Sequence, residues 1–305
     1  MKPKVVVIVG PTASGKTAVS IELAKKINGE IISADSMQIY KEMNIGSAKP
    51  TEEEMQGIIH HMIDIVEPTE TFNVAKYKEM AEECIEKILE KDKVPIIVGG
   101  TGLYVSTLTN GIEFSEIESD LEYREELSNI AMKENGVDIL FDKLKEIDPE
   151  AANVIDKNNV RRVIRALEIY KITGKTKTQV DKESIKEVKY DYRIFGLNWE
   201  REKLYERINL RVDIMLDMGL VDEVKRIKEN GISSTAIQGL GYKEIIEYLD
   251  GKVTLNEAIE KLKQETRKYA KRQMTWFKRD ENIIWLDAEN KQEVINYIFE
   301  NIREE

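Results

Sequence analysis

The feature that most constrains the fold of this 305-residue chain is an eight-residue stretch near its N-terminus. The stretch, residues 10–17 (GPTASGKT), satisfies the pattern G-x-x-x-x-G-K-[ST]. It follows an apolar, β-branched run at 4–9 (KVVVIV) and precedes a segment whose apolar residues recur at helical spacing. A strand, a tight loop and a helix are therefore predicted in that order. The loop predicts a binding site for a di- or triphosphate, but it does not specify which bond breaks.

Each part of this loop suits a phosphate group. Glycines let backbone amides converge on phosphate oxygens, and the start of the following helix adds positive potential. Lys16 can neutralise phosphate charge, and the Thr17 hydroxyl can ligate Mg²⁺, the predicted metal cofactor. The residues predicted to bind the phosphates are Gly10, Pro11, Thr12, Ala13, Ser14, Gly15, Lys16 and Thr17.

Strand-like and helical patterns alternate in both terminal parts of the chain. After the first strand, further strands are predicted at 30–34, 94–98, 192–197 and 282–286. This alternation predicts the α/β class, with a P-loop NTPase-like parallel sheet flanked by helices. Between 114 and 189 the strand signals vanish and charged amphipathic helices are predicted, so this segment is interpreted as an inserted all-helical domain. The core is then built from residues 1–113 and 190–305.

Composition limits the classes of protein that the chain can represent. It has 46 Lys and Arg against 57 Asp and Glu, a net charge of −11, which at first argues against a nucleic-acid partner. The segments 157–178 and 261–279 are nevertheless locally basic, so a polyanionic partner stays possible. No apolar run approaches the ~20 residues of a membrane span, and a cytoplasmic protein is expected. Cys84 is the only cysteine, which excludes an intramolecular disulfide.

A single carboxylate is predicted at the end of a strand beside the phosphate loop. Asp35 follows the second strand, in a position to order Mg²⁺ through water, to accept a proton from a nucleophile, or only to cap the next helix. The third strand ends instead in 99–102 (GGTG), without the acidic residue that a motor ATPase uses to hold Mg²⁺. The adjacent pair His60 and His61 does not predict a metal site, because neighbouring positions do not share a face.

Four segments together resemble one family along nearly the whole chain. GPTASGKT, ADSMQIY (34–40), GGTGLY (99–104) and KRQMTWF (271–277) occur in the order of the tRNA dimethylallyltransferase, or tRNA isopentenyltransferase, family. The resemblance is to the bacterial type, since the chain ends at Glu305 without the zinc finger of eukaryotic members. It implies transfer of a dimethylallyl group from dimethylallyl diphosphate to N6 of the adenosine 3′ to the anticodon of tRNA. Diphosphate is released, with Mg²⁺ present.

The resemblance also implies residue roles at the reaction centre. Asp35 matches the general base that receives the N6 proton, and Thr101 matches a position that touches the substrate adenosine. Thr101 can alternatively be a satisfied turn hydroxyl. Arg211 lies in a segment similar to the one that carries a diphosphate-contacting arginine, although a solvated helix arginine would give the same pattern.

A third set of residues is implied to contact the anticodon stem-loop. In the predicted helix at 159–172, Val160, Val163, Ile164, Leu167 and Tyr170 share a face, and Arg161, Arg162 and Arg165 lie opposite, where they could meet phosphates. A solvated charged face would look the same. The predicted tRNA contacts are Asp35, Ser36, Met37, Gln38, Thr101, Arg124, Asn159, Val160, Arg161, Arg162, Val163, Gly241, Tyr242, Lys271 and Arg272, with Gln273 and Trp276 as weaker candidates.

Two other functions are compatible with the phosphate loop. One is an isopentenyltransferase acting on free adenine nucleotides, and the other is a small-molecule kinase that binds ATP at the same loop. The long insertion and the basic helices favour tRNA, because a free nucleotide needs no extended positive surface. A monomer is expected.

Overall fold

The computed structural model describes residues 2–113 and 120–303. The chain divides into two compact units, one formed by Met1–Thr109 with Val188–Glu305 and one formed by Asn110–Glu187. The first is an α/β unit and the second is mostly helical. The predicted first residue of the insertion, Phe114, lies outside the described residues, and the predicted boundaries at 113 and 190 stay a prediction.

One parallel six-stranded sheet forms the centre of the α/β unit. Its strand order is β3-β2-β4-β1-β5-β6, and every neighbouring pair is parallel. The strands are β1 (Lys4–Val9), β2 (Gly29–Ser33), β3 (His60–His61), β4 (Val94–Gly99), β5 (Asp191–Asn198) and β6 (Ile284–Asp287). Residues 5–9 of β1 are fully buried, as expected of a central strand covered on both faces. The predicted parallel α/β architecture is confirmed.

Helices cover both faces of the sheet and build the second unit. In chain order the described α-helices are α1 (Lys16–Ile27), α2 (Glu52–Met55), α3 (Val74–Leu89), α4 (Gly102–Thr109), α5 (Leu121–Ala131), α6 (Gly136–Ile147), α7 (Pro149–Val154), α8 (Val160–Thr173), α9 (Lys177–Glu183), α10 (Arg201–Asp217), α11 (Leu220–Asn230), α12 (Tyr242–Leu249), α13 (Leu255–Phe277) and α14 (Lys291–Arg303). Among them, none has both the length and the apolar character to cross a bilayer.

Two apolar layers hold the sheet. One side packs mainly against α3, α4, α11, α12 and α13, with Tyr77, Tyr104 and Phe277 among its buried residues. The other side packs against α1 and α14 through residues such as Leu23 and Ile298. The helices therefore cover both faces of the sheet. The loops at the carboxyl ends of the strands remain accessible to a ligand.

The helical unit has its own core. α5, α6, α7 and α8 pack around Leu127, Leu144 and Leu167, all at most 1% exposed. α8 buries Val163, Ile164 and Leu167, as predicted. Tyr170 is 41% exposed, so its predicted place on the buried face is wrong. It lies in the last turn of α8, where the unit's core has ended.

Candidate active site

Three loops meet at the carboxyl ends of three neighbouring strands. The phosphate loop follows β1, Asp35 follows β2, and Thr101 follows β4, which lies between β1 and β2 in the sheet. A cavity of about 630 Å³ is bordered by the phosphate loop and by Asp35, with Gly99 and Gly100 at the end of β4. Because parallel strands bring these ends to one edge, segments far apart in sequence share one site.

The phosphate loop follows an unusual backbone path. Gly10 has φ +148°, and a Cβ built there would lie 2.9 Å from the Leu197 carbonyl oxygen of β5. Ala13 adopts a left-handed φ of 62°, and Gly15 follows with φ 88°. The glycine at position 10 is therefore required by close packing against the adjacent strand.

Donors from three places hold the loop's carbonyl groups. Lys16 Nζ donates to the carbonyl oxygens of Gly10, at 2.9 Å, and Pro11, at 2.7 Å. Arg207 Nε on α10 donates to the Ala13 carbonyl at 2.9 Å, and Trp199 Nε1 donates to that of Ser14 at 3.0 Å. The Arg207 guanidinium also lies over the Trp199 ring, 4.3 Å from its centroid. These bonds fix the loop conformation that a phosphate-binding nest needs.

The beginning of α1 has the character of an anion site. Gly15, the N-cap, provides no side-chain cap for the first helical amides, and the first turn of α1 carries no acidic residue. The hydroxyl of Ser14 is buried and has no hydrogen-bond partner within residues 2–113 and 120–303. Uncapped amides and an unsatisfied hydroxyl fit a ligand that supplies oxygen acceptors.

Lys16, Arg207 and Arg211 are among the cationic side chains that border the cavity. Burial, and then the charge of Arg211, lower the pKa of Lys16 to about 7, although Asp35 acts in the opposite direction. Burial also lowers the pKa of Arg211, which Asp35 opposes. Arg211 thus lies close enough to Lys16 for its charge to lower the pKa of Lys16, and close enough to Asp35 for that carboxylate to oppose the lowering of its own pKa.

Asp35 is half-buried at the edge of the cavity. Its Oδ1 accepts hydrogen bonds from the backbone amides of Met37, at 2.9 Å, and Gln38, at 3.4 Å. The interpretation of Asp35 as a helix cap is wrong, because the chain forms a turn after Asp35 and the next helix is α2. The turn amides fix the direction in which the carboxylate points.

Thr101 joins the loops that follow β2 and β4. Its Oγ1 accepts from the Ser36 amide at 3.0 Å and donates toward the Ser36 hydroxyl at 3.4 Å. Its own amide donates to the Ala34 carbonyl at 3.1 Å. Gly99 permits this approach, because a Cβ there would lie 2.1 Å from the Ala34 oxygen. Thr101 and Asp35 are thus held on either side of Ser36.

Gln273 does not lie at an RNA-accessible surface, in contrast to its interpretation as a weaker tRNA candidate. It is 5% exposed, its Oε1 accepts from the Thr12 amide at 2.8 Å, and its Nε2 donates to the Gly100 carbonyl at 2.9 Å. Trp276 packs against the apolar layer and donates to the Ser106 hydroxyl at 3.0 Å. Trp276 is thus half-buried, with its ring packed against the core of the α/β unit.

The other predicted tRNA contacts of the α/β unit differ in accessibility. Ser36, Met37 and Gln38 are half-buried, and Lys271 and Arg272 are exposed. Tyr242 is fully buried, and Gly241 has φ +92° and donates its amide to Glu244 at 2.9 Å. The side chain of Tyr242 is therefore in no position to touch a surface ligand.

In the helical unit, the exposed arginines of α8 are Arg161 and Arg162. Asn159 is the N-cap of α8, and Val160 is half-buried. Val163 is 1% exposed and packs in the unit's core. Exposure thus separates the two arginines from their apolar neighbours.

Arg124 is held by a fully buried carboxylate. Its Nε and Nη2 donate to the two oxygens of Glu168, at 2.8 and 3.0 Å, and Arg165 Nη1 donates to Glu168 at 2.5 Å. Burial alone would raise the pKa of Glu168, but hydrogen bonds from Arg124 and Arg165 outweigh it and lower that pKa. With 38% of its side chain exposed, Arg124 is an oriented cation at the surface of the helical unit.

Several residues of the site had not been identified from the sequence. Arg207 and Trp199 lie 194 and 185 residues along the chain from the loop positions that they contact, and no local pattern connects them to the loop. Arg207 sits one turn before Arg211 on α10, a spacing that could have drawn attention to it. Glu223 on α11, whose carboxylate accepts from the backbone amides of residues 44–46 beside the cavity, was also not predicted, because nothing marks a helical glutamate as buried.

Comparison with known proteins identifies the family. A model described as IPP transferase matches residues 38–280. A tRNA dimethylallyltransferase of Acetivibrio thermocellus is 54% identical over 288 residues, 93% of this chain and 92% of that protein. One of Anoxybacillus flavithermus is 50% identical over 306 residues, 98% and 97% of the two chains.

Solved structures that resemble this chain are named as transferases of the same kind. The full-length tRNA isopentenylpyrophosphate transferase of Bacillus halodurans superposes with a TM-score of 0.73 at 47% identity, covering 99% of this chain and 97% of that one. A eukaryotic dimethylallyltransferase, captured in snapshots of its action on tRNA, gives a TM-score of 0.78 at 32% identity over 98% of this chain and 80% of that one. The chain therefore belongs to the IPP transferase family, and it is a transferase.

Proposed function

We propose that this protein transfers the dimethylallyl group of dimethylallyl diphosphate to N6 of the adenosine 3′-adjacent to the anticodon of tRNA, with release of diphosphate. The observation that carries the proposal is one cavity bordered by the phosphate loop and Asp35, with Thr101 bonded to Ser36 next to Asp35. The relatives that match nearly the whole chain bear the name of this activity. Transfer from a diphosphate needs a cradle for the leaving group and a base for the nucleophile, and this site has candidates for both.

The leaving group is held by the phosphate loop in this proposal. Breaking the bond between C1 of the donor and the diphosphate oxygen builds negative charge on the diphosphate. The first turn of α1 supplies uncapped backbone amides, Lys16 supplies a cation, and Arg211 supplies a second one from α10. Charge that is fixed before the reaction stabilises the transition state without reorganisation at that moment. Arg211 is therefore assigned to the diphosphate.

The nucleophile is activated by Asp35, which borders the same cavity as the phosphate loop. An adenine amine is a weak nucleophile, because its lone pair is delocalised into the ring. As N6 forms a bond to C1, the Asp35 carboxylate receives the N6 proton as general base. Thr101, tied to Ser36 beside Asp35, positions the adenosine. The products are N6-dimethylallyladenosine, diphosphate and a proton on Asp35, so atoms and charge balance.

Mg²⁺ is assigned as the cofactor on the chemistry of the available donors. Thr17 borders the cavity directly after Lys16, and Asp35 and Ser33 border the same space. No cluster of three or more His, Cys, Asp or Glu that could hold a metal occurs in the described parts of the chain. This donor set fits a hard cation that keeps waters and binds mostly to substrate phosphates. When bound, Mg²⁺ would neutralise the charge of the departing diphosphate.

The tRNA is recognised by cations on both units in this proposal. In the helical unit, Arg161 and Arg162 on α8 and Arg124 contact tRNA phosphates. In the α/β unit, Lys271 and Arg272 on α13 do so. The target base must leave its stack to reach Asp35, so base flipping is required. A free nucleotide would need none of these surface cations, which argues for tRNA over free adenine nucleotides.

We assign a monomer acting in the cytoplasm.

A kinase function is the second candidate at the same loop. The phosphate cradle alone is compatible with ATP, but β4 ends in Gly99 followed by Gly100 and Thr101, without an acidic metal ligand. The family relationship also favours prenyl transfer.

One experiment distinguishes these functions. Purified protein is incubated with Mg²⁺, unmodified tRNA and either dimethylallyl diphosphate or ATP, and the nucleosides are then analysed by mass spectrometry. Prenylated adenosine formed only with dimethylallyl diphosphate is the expected result. Free AMP as acceptor, tested in parallel, reports on the nucleotide alternative. Consumption of ATP with no modified adenosine would overturn the proposal.

A further inference from the structure

The amide of Gln273 connects the two halves of the site. On one side its Oε1 accepts from the Thr12 amide of the phosphate loop at 2.8 Å. On the other side its Nε2 donates to the Gly100 carbonyl at 2.9 Å, one residue before Thr101. Both polar ends of one buried side chain are thus used, each on a different loop of the site. The contacts span 261 and 173 residues along the chain.

The space around this amide is shaped to receive it. A Cβ built at Gly100 would lie 2.1 Å from Gln273 Nε2, so any larger residue at position 100 would displace the amide. On the same helix, Trp276 seats the last turn of α13 on α4 by its bond to Ser106. Tyr269, one turn before Gln273, borders the cavity itself. The end of α13 is therefore fixed, and Gln273 has a defined position from which to hold two loops.

We propose that Gln273 is a positioning residue, which fixes the phosphate loop relative to the loop carrying Thr101 and so sets the distance from the departing diphosphate to the acceptor amine. This inference rests on the proposed function. Gln273 does not touch the reacting atoms in this account. It acts through Thr12 on the donor side and through Gly100 on the acceptor side. An error of about 1 Å in such a distance can lower a rate by about 100-fold.

The proposal separates turnover from RNA binding. Q273L keeps the size of the side chain but loses both hydrogen bonds, and G100A pushes the amide away from the opposite direction. For both variants we expect kcat to fall about 10- to 100-fold, while KM for tRNA stays within about twofold. Gln264 is an exposed glutamine on the same helix, so Q264L is the matched control and should retain wild-type kcat.

Q273E provides a readout that a merely structural role would not move. A carboxylate can still accept from the Thr12 amide but cannot donate to the Gly100 carbonyl, whereas a protonated carboxyl group can do both. The ratio of Q273E to wild-type activity should therefore rise as the pH is lowered, at least fivefold between pH 8 and pH 6. The same ratio for Q264L should be flat. A flat ratio for Q273E would overturn the proposal, even if Q273L failed to fold.

Binding of inorganic pyrophosphate, measured by calorimetry, gives a result that does not depend on transfer. We expect Q273L and G100A to weaken pyrophosphate binding at least threefold, because the Thr12 end of the loop is released. Wild-type protein that prenylates tRNA, with Q273L equal to it in kcat and in pyrophosphate affinity, would refute the role of Gln273 alone. Wild-type protein that binds pyrophosphate but prenylates no tRNA would refute the proposed function instead, and the pyrophosphate comparison would still decide on Gln273.

Discussion

The Tyr242 hydroxyl donates a hydrogen bond to Glu223 Oε1 at 2.7 Å, with both residues at most 1% exposed. The same carboxylate accepts from three consecutive backbone amides, those of residues 44–46, at 2.8 to 3.1 Å. These residues belong to the loop that continues to Ala48 at the wall of the cavity. Tyr242 therefore acts on the site through a buried anion, and burial with the Glu223 charge raises its pKa, which keeps the phenol protonated.

Replacement of Tyr242 by phenylalanine should affect folding rather than RNA binding. Y242F removes one hydrogen bond to a buried charge, which costs about 1–3 kcal/mol. We expect a lower midpoint of thermal unfolding and an unchanged Kd for tRNA. Y297F, at a tyrosine that is 42% exposed on α14, is the control and should change neither quantity. A Y242F protein of normal stability with weakened tRNA binding would indicate a direct contact.

The role of Asp35 is tested by an isosteric change. D35N retains an oxygen that can accept from the Met37 and Gln38 amides, so the turn keeps its shape. It cannot receive the N6 proton, and kcat should fall about 10²- to 10⁴-fold while the Kd for tRNA stays the same. Single-turnover prenylation and filter binding measure the two quantities. Equal losses in both would make Asp35 a binding contact rather than a base.

Lys16 predicts a pH dependence of donor binding. Its pKa is lowered to about 7, mainly by burial, so above pH 7 the lysine is increasingly neutral before the donor binds. A bound diphosphate favours the charged form, so binding takes up a proton. The affinity for dimethylallyl diphosphate should therefore fall above pH 7, by at most about tenfold per unit. Calorimetry in buffers of different ionisation enthalpy counts the protons. In K16M, the pH dependence of binding that remains comes from the donor's own phosphates. This variant should therefore take up fewer protons on binding the donor.

The exposed arginines of α8 predict a salt effect. If Arg161 and Arg162 each neutralise a phosphate, the double variant R161Q/R162Q should weaken tRNA binding. It should also reduce the slope of log K against log salt by about 1.5. K145Q/K182Q removes the same charge from the helical unit at exposed lysines paired to acidic neighbours, and it should leave the slope unchanged. An unaltered slope in R161Q/R162Q would remove these arginines from the interface.

The site was most predictable where it depends on local sequence. The phosphate loop carries its own pattern, and Asp35 and Thr101 each follow a strand that could be identified from an apolar run. The rule that parallel strands end at one edge then brings them together without any knowledge of contacts. The central strands were predictable for the same reason, since each is a short apolar run closed by turn residues.

The remaining parts depend on long-range packing. β3 has only two residues, His60 and His61, and it forms a strand because it pairs with β2. No local sequence pattern predicts it. α14 was also missed, and β6 begins at Ile284 rather than at residue 282. The partners of Gln273 lie 261 and 173 residues away, and an amide side chain on a basic helix looks like a surface residue until the fold is known.

The position of β1 has a consequence for synthesis of the chain. β1 pairs with β4 on one side and with β5 on the other, and β5 begins at Asp191. While the ribosome is still producing residues 100–190, the edge of β1 that will pair with β5 is unpaired. Its exposed backbone and apolar side chains can then pair or pack with other chains. Maturation must wait for the last third of the polypeptide. Slowed translation before codon 191 should therefore increase the demand of this protein for chaperones.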